Sequence, residues 1–234
     1  MQVTYITHSC FLVETQNILF LFDYFEGELP ALDTSKPLYC FASHSHGDHF
    51  SERLFEATSP HPNAHYILSD DIFKSRIPQE LTAKTDFIAP AQIIVLDGMS
   101  IKALKSTDMG VAFVIDENGT LIYHAGDLNC WQWEEESDEY NRTMEQNYIK
   151  EIEKLDGLHF KLAFIPLDPR QGEDIRQKGI KIFLEYANAE NIFPMHLWDN
   201  YDIAPALAAQ MGTEEAELMR CCSHKNEVFE ITED

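Results

Sequence analysis

The stretch FASHSHGDHF, residues 41–50, places three histidines and one aspartate within six positions. His44 and His46 stand two residues apart, so an extended segment leaving a strand directs both imidazoles to the same side. Asp48 and His49 follow where the chain turns towards a helix, and they face a second position nearby. Imidazole together with carboxylate suits Zn²⁺ or a similar divalent cation. The stretch therefore predicts a metal site at the end of a strand, and the chain's own histidine content, 10 in 234 residues, disfavours a chance cluster of polar loop residues.

Three later strand ends offer further metal ligands. Asp127 ends the apolar run IYHAGD, where a carboxylate can bridge two ions, and His196 ends the run NIFPMH. Asp108 stands in KSTDMG, at a turn between two strands. Each has a structural alternative: a turn-capping aspartate for Asp127 and Asp108, and a hydrogen-bonded histidine for His196. For Asp108 both interpretations stay open at this point.

The first half of the chain is rich in strand-like sequence, and the second half alternates helices with strands. Predicted strands and hairpins lie at 3–7, 11–14, 17–25, 37–43, 65–69, 93–106, 111–127, 161–168, 191–196 and 227–231. Predicted helices lie at 51–57, 137–155, 175–190 and 203–211. The predicted N-caps and hairpin turns are Ser51, Ser137, Asp97-Gly98 and Asn118-Gly119. No Pro/Gly/Ser-rich linker separates the halves, so we predict a single domain, residues 1–234, of α/β class with two packed sheets.

The composition disfavours several kinds of partner. With 17 basic and 40 acidic residues the formal net charge is -23, and such a surface repels nucleic acid backbones and anionic membranes. The longest apolar runs are too short to span a bilayer, and the first residues lack the basic start of a signal peptide. Five cysteines at irregular spacing indicate reduced thiols. We therefore predict a cytoplasmic protein that acts on a small-molecule substrate and binds neither nucleic acid nor membrane.

Residues near the predicted ligands are candidates for contact with that substrate. Arg170 follows a buried strand and can grip an anionic group, with a surface salt bridge as the alternative. Trp131, Trp133 and Trp198 flank proposed ligands and are predicted to wall a cleft, with core packing as the alternative. For His8 a structural role is favoured over a position near the site. Cys130 is expected to lie in the core or behind a ligand and not to be catalytic.

The sequence resembles the metallo-β-lactamase-fold hydrolases. Their leading motif HxHxDH is present at residues 44–49, the later aspartate matches Asp127 in HAGD, and the last histidine matches His196 in FPMH. The stretch THSCFLVET at residues 7–15 resembles the start of L-ascorbate-6-phosphate lactonase-like proteins. The resemblance covers most of the chain.

The resemblance implies a four-layer αββα sandwich, the metallo-β-lactamase fold, with the metal site at one edge between the two sheets. It also implies a hydrolase that attacks a small ester-like, lactone, phosphoester or amide bond with metal-bound hydroxide. The catalytic residues that it assigns are Asp48, His49 and Asp127.

One departure from the family pattern concerns the first metal position. The family places a further histidine before the bridging aspartate, and here Asp108 stands in that region. His124 is a weaker substitute, because a strand directs it away from Asp127. The first site, with His44 and His46, then either takes Asp108 as its third ligand, binds metal weakly or stays empty. The second site has its full set in Asp48, His49, Asp127 and His196. We expect one or two zinc ions, with Mn²⁺ or iron as alternatives, because a carboxylate in place of imidazole favours harder ions.

Two other classes of function compete with a hydrolase. The missing histidine favours a metal-binding homologue without turnover. A di-iron redox protein is disfavoured, since relatives of that kind usually carry a carboxylate in the leading motif and an attached flavin domain.

Overall fold

The computed structural model describes residues 1–232. Its contacts group the chain into two compact units. The first unit comprises Met1–Ala89 together with the residues from His224 onwards, and the second comprises Pro90–Ser223. The single domain over 1–234, whose last two residues lie outside the described range, stays a prediction.

Fifteen strands and six α-helices are defined within residues 1–232. The strands are β1 (Gln2–Thr7), β2 (Cys10–Glu14), β3 (Leu19–Phe22), β4 (Leu38–Ala42), β5 (Ala64–Ser69), β6 (Thr85–Ile88), β7 (Ile93–Leu96), β8 (Met99–Lys105), β9 (Val111–Glu117), β10 (Thr120–His124), β11 (His159–Phe160), β12 (Leu162–Pro166), β13 (Asn188–Ala189), β14 (Ile192–Met195) and β15 (Glu227–Glu230). The helices are α1 (Arg53–Thr58), α2 (Asp138–Ile152), α3 (Glu173–Arg176), α4 (Lys178–Tyr186), α5 (Ile203–Ala208) and α6 (Thr213–Leu218). None of these helices combines the length and the apolar character needed to cross a bilayer.

The first unit is built on a seven-stranded sheet in the order β15-β1-β2-β3-β4-β5-β6. Pairing is antiparallel from β15 to β3 and parallel from β3 to β6. Strands β3 and β4 are buried at every position, as parallel strands covered on both faces must be. Leu54 and Phe55 of α1 join one core cluster with Leu21 and Cys40 of the sheet. The carboxyl ends of β3, β4 and β5 share one edge, which brings the residues that follow them into one region.

The second unit contains a six-stranded sheet in the order β14-β12-β10-β9-β8-β7, and β11 pairs with β13 beside it. Strands β7 to β10 form antiparallel hairpins at the predicted turns, where Asp97, Gly98, Asn118 and Gly119 all have positive φ. Strands β10, β12 and β14 are parallel, so their carboxyl ends also share one edge. The predicted α/β class with two large sheets is confirmed.

Some predicted boundaries were wrong for identifiable reasons. Helix α1 begins at Arg53 with Glu52 at the N-cap, and the Ser51 hydroxyl only accepts a hydrogen bond from the Arg53 amide at 3.3 Å. The helix predicted over 175–190 is divided into α3 and α4 at Gln177, and α4 ends at Tyr186 because residues 188–189 pair with β11 instead. Strand β6 and helix α6 were missed, since both are short; β6 is partly buried, and α6 is largely exposed. The Ser137 cap is confirmed by its hydrogen bond from the Tyr140 amide.

Candidate functional site

The histidine loop of the first unit follows β4 directly. His44 and His49 are fully buried, whereas His46 is exposed. The Nε2 atom of His44 lies 3.0 Å from Nδ1 of His46, and the rings of His44 and His49 are 4.1 Å apart. Three of the predicted ligands therefore lie side by side in this unit.

A buried carboxylate sets the orientation of two of these imidazoles. Asp23 follows β3, is fully buried, and accepts hydrogen bonds from the amide and hydroxyl of Ser43, both at 2.7 Å. It also accepts one at 2.7 Å from Nδ1 of His49, which leaves His49 Nε2 in the unprotonated form that binds metals. Since the Ser43 hydroxyl gives its proton to Asp23, it accepts at 3.0 Å from Nδ1 of His44, and the same tautomer follows there.

Asp23 was not among the residues predicted from the sequence. Its signal was present, because LFLFD places a carboxylate directly after a buried strand. Its backbone has a φ of 45°, a left-handed conformation that aspartate tolerates better than most residues.

His8 and Asp48 complete the polar cluster of the first unit. The Nε2 atom of His8 lies 3.5 Å from Asp48, and ligand atoms of His8, Asp48 and His49 lie within 4.8 Å of one another. Burial by itself raises the pKa of Asp48, but the hydrogen bond to His8 and the charges of His49 and His8 outweigh it. The pKa therefore lies well below its ordinary value, and Asp48 is ionised at neutral pH. This contact favours the alternative interpretation of His8, a position near the predicted ligands.

The loop after β10 presents Asp127 in the second unit. Asp127 is buried, and its backbone carbonyl accepts a hydrogen bond from the Trp131 indole at 2.8 Å. Asp108 is exposed, and a carboxylate oxygen of Asp108 lies within 4.8 Å of one of Asp127. Two carboxylates this close repel each other unless a cation or a proton compensates them. The role of Asp108 as a ligand stays a prediction.

His196 follows β14 and is held by a second buried carboxylate. Its Nδ1 atom donates to Asp168 at 2.8 Å, and its Nε2 atom lies 3.5 Å from Asp127. Burial raises the pKa of Asp168, but the hydrogen bonds from His196 and Arg170 outweigh it and bring the pKa to about 2. This arrangement repeats in the second unit what Asp23 does in the first.

The residues predicted to contact substrate surround this histidine. Trp131 is buried and lies edge-on to the His196 ring at 5.5 Å. Trp198 is 45% exposed, with its ring 5.7 Å from that of His196. The Arg170 guanidinium is bound to Asp168, as in the alternative interpretation.

Two further residues considered from the sequence lie in the core. His124 is fully buried and accepts a hydrogen bond from the Gly126 amide at Nδ1. Cys130 is buried, and its burial raises the pKa of the thiol to about 12, so it is protonated at neutral pH. The predicted core position of Cys130 agrees with this environment.

Comparison with known proteins connects the chain to a family. Residues 2–143 match the family model of the beta-lactamase superfamily domain, which is more than half of the sequence. The chain belongs to the beta-lactamase superfamily. The matched region of this superfamily member includes the histidine loop as well as Asp108 and Asp127.

Individual relatives of this beta-lactamase superfamily chain are distant or match it in part. A UPF0173 metal-dependent hydrolase of Salinibacter ruber is 39% identical over 66 residues, which are 26% of this chain and 29% of that protein. The match thus spans less than a third of that relative's length.

Among solved structures, Igni18, a metallo hydrolase from the archaeon Ignicoccus hospitalis, is 17% identical with a TM-score of 0.68, and 99% of each chain is covered. CmlA, a diiron β-hydroxylase from Streptomyces venezuelae, is 10% identical with a TM-score of 0.53 over 83% of this chain and 44% of that one. These likenesses show the fold shared with metallo-β-lactamase-type proteins.

The donor chemistry of both units fits a divalent metal. The first unit presents imidazoles with Asp48, and the second presents His196 with two carboxylates. Such nitrogen and oxygen ligands suit zinc, manganese or iron. Both carboxylate-bound histidines, His49 and His196, have the tautomer that metal binding requires.

Proposed function

We propose that the protein is a metal-dependent hydrolase acting on a small ester, lactone, phosphoester or amide bond. The observation that carries the proposal is the matched pair of buried carboxylates, Asp23 on His49 and Asp168 on His196. An imidazole anchored through Nδ1 to a carboxylate is the usual form of a metal-binding histidine. A core histidine that serves packing alone has no need of an ionised, fully buried partner.

Each unit presents its own proposed ligands. They are His44, His46, Asp48 and His49 in the first, and Asp108, Asp127 and His196 in the second. When bound, the ion supplies an acidified water near neutral pH and polarises the attacked oxygen. The chain itself keeps Asp48 ionised and holds His49 and His196 with the proton on Nδ1. Zinc is the first choice of metal, and manganese or iron the alternatives.

Features of the sequence support a proposed substrate class and location. The resemblance of residues 7–15 to lactonase-like proteins makes lactones the first substrates to assay. A net charge of -23 supports a small-molecule substrate and not a nucleic acid. Five cysteines at irregular spacing, without a CxxC pair, support a reducing, cytoplasmic compartment.

Metal analysis of purified protein tests the proposal. His49→Ala and Asp127→Ala each remove one ligand, one from each unit, and both are expected to lose metal while keeping the circular dichroism of the fold. His65→Ala is the matched control, since His65 is a partly exposed histidine of β5 bound to Asp86. Unchanged metal content in both ligand variants would refute the site.

A substrate panel separates the enzyme from a metal-binding homologue. Lactones, thioesters, phosphoesters and amides are assayed with metal-loaded protein, and the activity is expected to disappear in Asp127→Ala. Metal retained by the wild-type protein without turnover of any class favours the non-catalytic alternative, for which the replacement of a family histidine by Asp108 is the supporting observation.

A further inference from the structure

Arg170 lies at a strand end beside His196, where an arginine could bind a substrate anion, but its guanidinium is already bound to Asp168. It follows β12 in the second unit, and 53% of its side chain is exposed. An arginine that recognises a substrate carboxylate or phosphate offers it the edge formed by Nε and one terminal nitrogen. In this protein that edge is already bound to Asp168.

Asp168 gathers donors from three side chains. Arg170 donates from Nε at 3.0 Å to both carboxylate oxygens and from Nη2 at 2.5 Å, and its backbone amide adds a bond at 2.7 Å. His196 donates from Nδ1 at 2.8 Å, and the Trp198 indole donates at 3.3 Å. Because Asp168 is fully buried, its charge requires these partners.

Aromatic rings hold the guanidinium in this position. Its central carbon lies 4.8 Å from the centre of the Trp198 ring and 5.9 Å from that of Trp133. Trp133 is itself stacked on Trp131, with the planes inclined by 6°. Cation–π contacts of this kind stabilise one rotamer of a half-exposed side chain.

We propose that Arg170 is a positioning residue and not an anion clamp: with Trp198 it holds Asp168 in the rotamer that orients His196. The proposal rests on the proposed function in one respect, namely that His196 is a metal ligand. It also narrows the substrate class, because a substrate gains nothing from an anionic group directed at Arg170. Arg170 is then not expected to favour anionic esters over neutral ones.

Two variants of Arg170 test the proposal against a matched control. Arg170→Gln removes the charge, and Arg170→Lys keeps it but loses the bidentate geometry and the planar stacking. Arg142→Gln, on the exposed face of α2 in the same unit, removes an equal charge elsewhere. Trp198→Phe keeps an aromatic ring but removes the indole donor to Asp168.

The first readouts do not depend on turnover. In metal-free protein labelled with ¹⁵N-histidine, wild-type His196 is expected to show one tautomer, protonated at Nδ1, and Arg170→Gln a mixture. Zinc affinity, measured by competition with a chelator, is expected to fall about 10-fold in Arg170→Gln, the lower end for residues behind a ligand. Arg170→Lys is expected to resemble Arg170→Gln, Trp198→Phe to show a smaller loss, and Arg142→Gln to match the wild type.

The last readout compares 4-nitrophenyl butyrate with mono-4-nitrophenyl succinate, which share a leaving group and differ in charge. In Arg170→Gln, kcat is expected to fall equally for both esters, with an unchanged ratio of KM values. A KM that rises for the succinate ester alone, or a zinc affinity and His196 spectrum equal to those of Arg142→Gln, would overturn the proposal. If neither ester is hydrolysed by any variant, the hydrolase proposal loses support, and the spectrum and zinc affinity still decide the role of Arg170.

Discussion

Gly179, in a helix of the second unit, lies against Asn129 in the loop that carries Asp127. It is the second residue of α4 and is buried, and a Cβ atom placed on it lies 1.9 Å from Oδ1 and 3.1 Å from Cγ of Asn129. Asn129 is fully buried, and its backbone exchanges hydrogen bonds of 2.6 and 3.0 Å with the Thr107 hydroxyl. We predict that Gly179→Ala destabilises the protein, because the buried Asn129 side chain must move out of this contact while its backbone is held by Thr107.

The magnitude follows from two opposing contributions. Overpacking a close-packed interior costs about 1–3 kcal/mol, and a contact at 1.9 Å is far inside van der Waals separation, which favours the upper end. Alanine in place of glycine in a helix contributes about 1 kcal/mol in the opposite direction. The net expectation is a loss of about 2 kcal/mol in the free energy of unfolding.

A double-mutant cycle in urea isolates the clash. Asn129→Ala removes the obstructing amide, so Gly179→Ala in that background is expected to be neutral or to stabilise by up to about 1 kcal/mol. Because Asn129 lies two residues after Asp127, the single variant Gly179→Ala is also expected to bind less metal. Equal effects of Gly179→Ala in both backgrounds, or a single variant as stable as the wild type, would refute the steric argument.

Three further predictions concern buried carboxylates and the histidine loop. Asp23→Asn presents a donor to the Nδ1 proton of His49, so zinc affinity is expected to fall about 10- to 100-fold in a chelator competition, and an unchanged affinity contradicts the role of Asp23. Because the pKa of Asp168 is lowered in the folded protein, the ionised carboxylate stabilises the fold at pH values above its ordinary pKa near 3.8. The free energy of unfolding is expected to fall by roughly 2 kcal/mol as the pH is lowered to about 2. Urea unfolding at several pH values checks this, and an equal loss in Asp168→Asn counts against it. Asp71→Ala removes the carboxylate that accepts a 2.8 Å hydrogen bond from the Ser45 amide. That amide is then expected to exchange with deuterium faster, and zinc affinity to fall several-fold. An exchange rate equal to that of the wild type would show that Asp71 does not stabilise the histidine loop.

Local signals in the sequence were sufficient for much of the fold. The hairpins at Asp97-Gly98 and Asn118-Gly119 were predictable because few residue pairs adopt two successive positive φ angles. The start of α2 was predictable because a serine cap followed by acidic residues satisfies the first amides of a helix. The histidine loop was identified because its signal is also local: His44, His46, Asp48 and His49 lie within six residues.

The carboxylates that hydrogen-bond to His49 and His196 were decided by tertiary structure. Asp23 and His49 are 26 residues apart in sequence, and Asp168 and His196 are 28 apart. They meet because parallel strands end at a common edge, and a single sequence does not specify which strands are neighbours. The same reason explains residues 188–189, which have helical sequence neighbours but form a strand, since pairing with β11 outweighs local preference. Arg170 is a similar case: its side chain is compatible with substrate binding or with an ion pair, and the fully buried charge of Asp168 makes the ion pair the more stable choice.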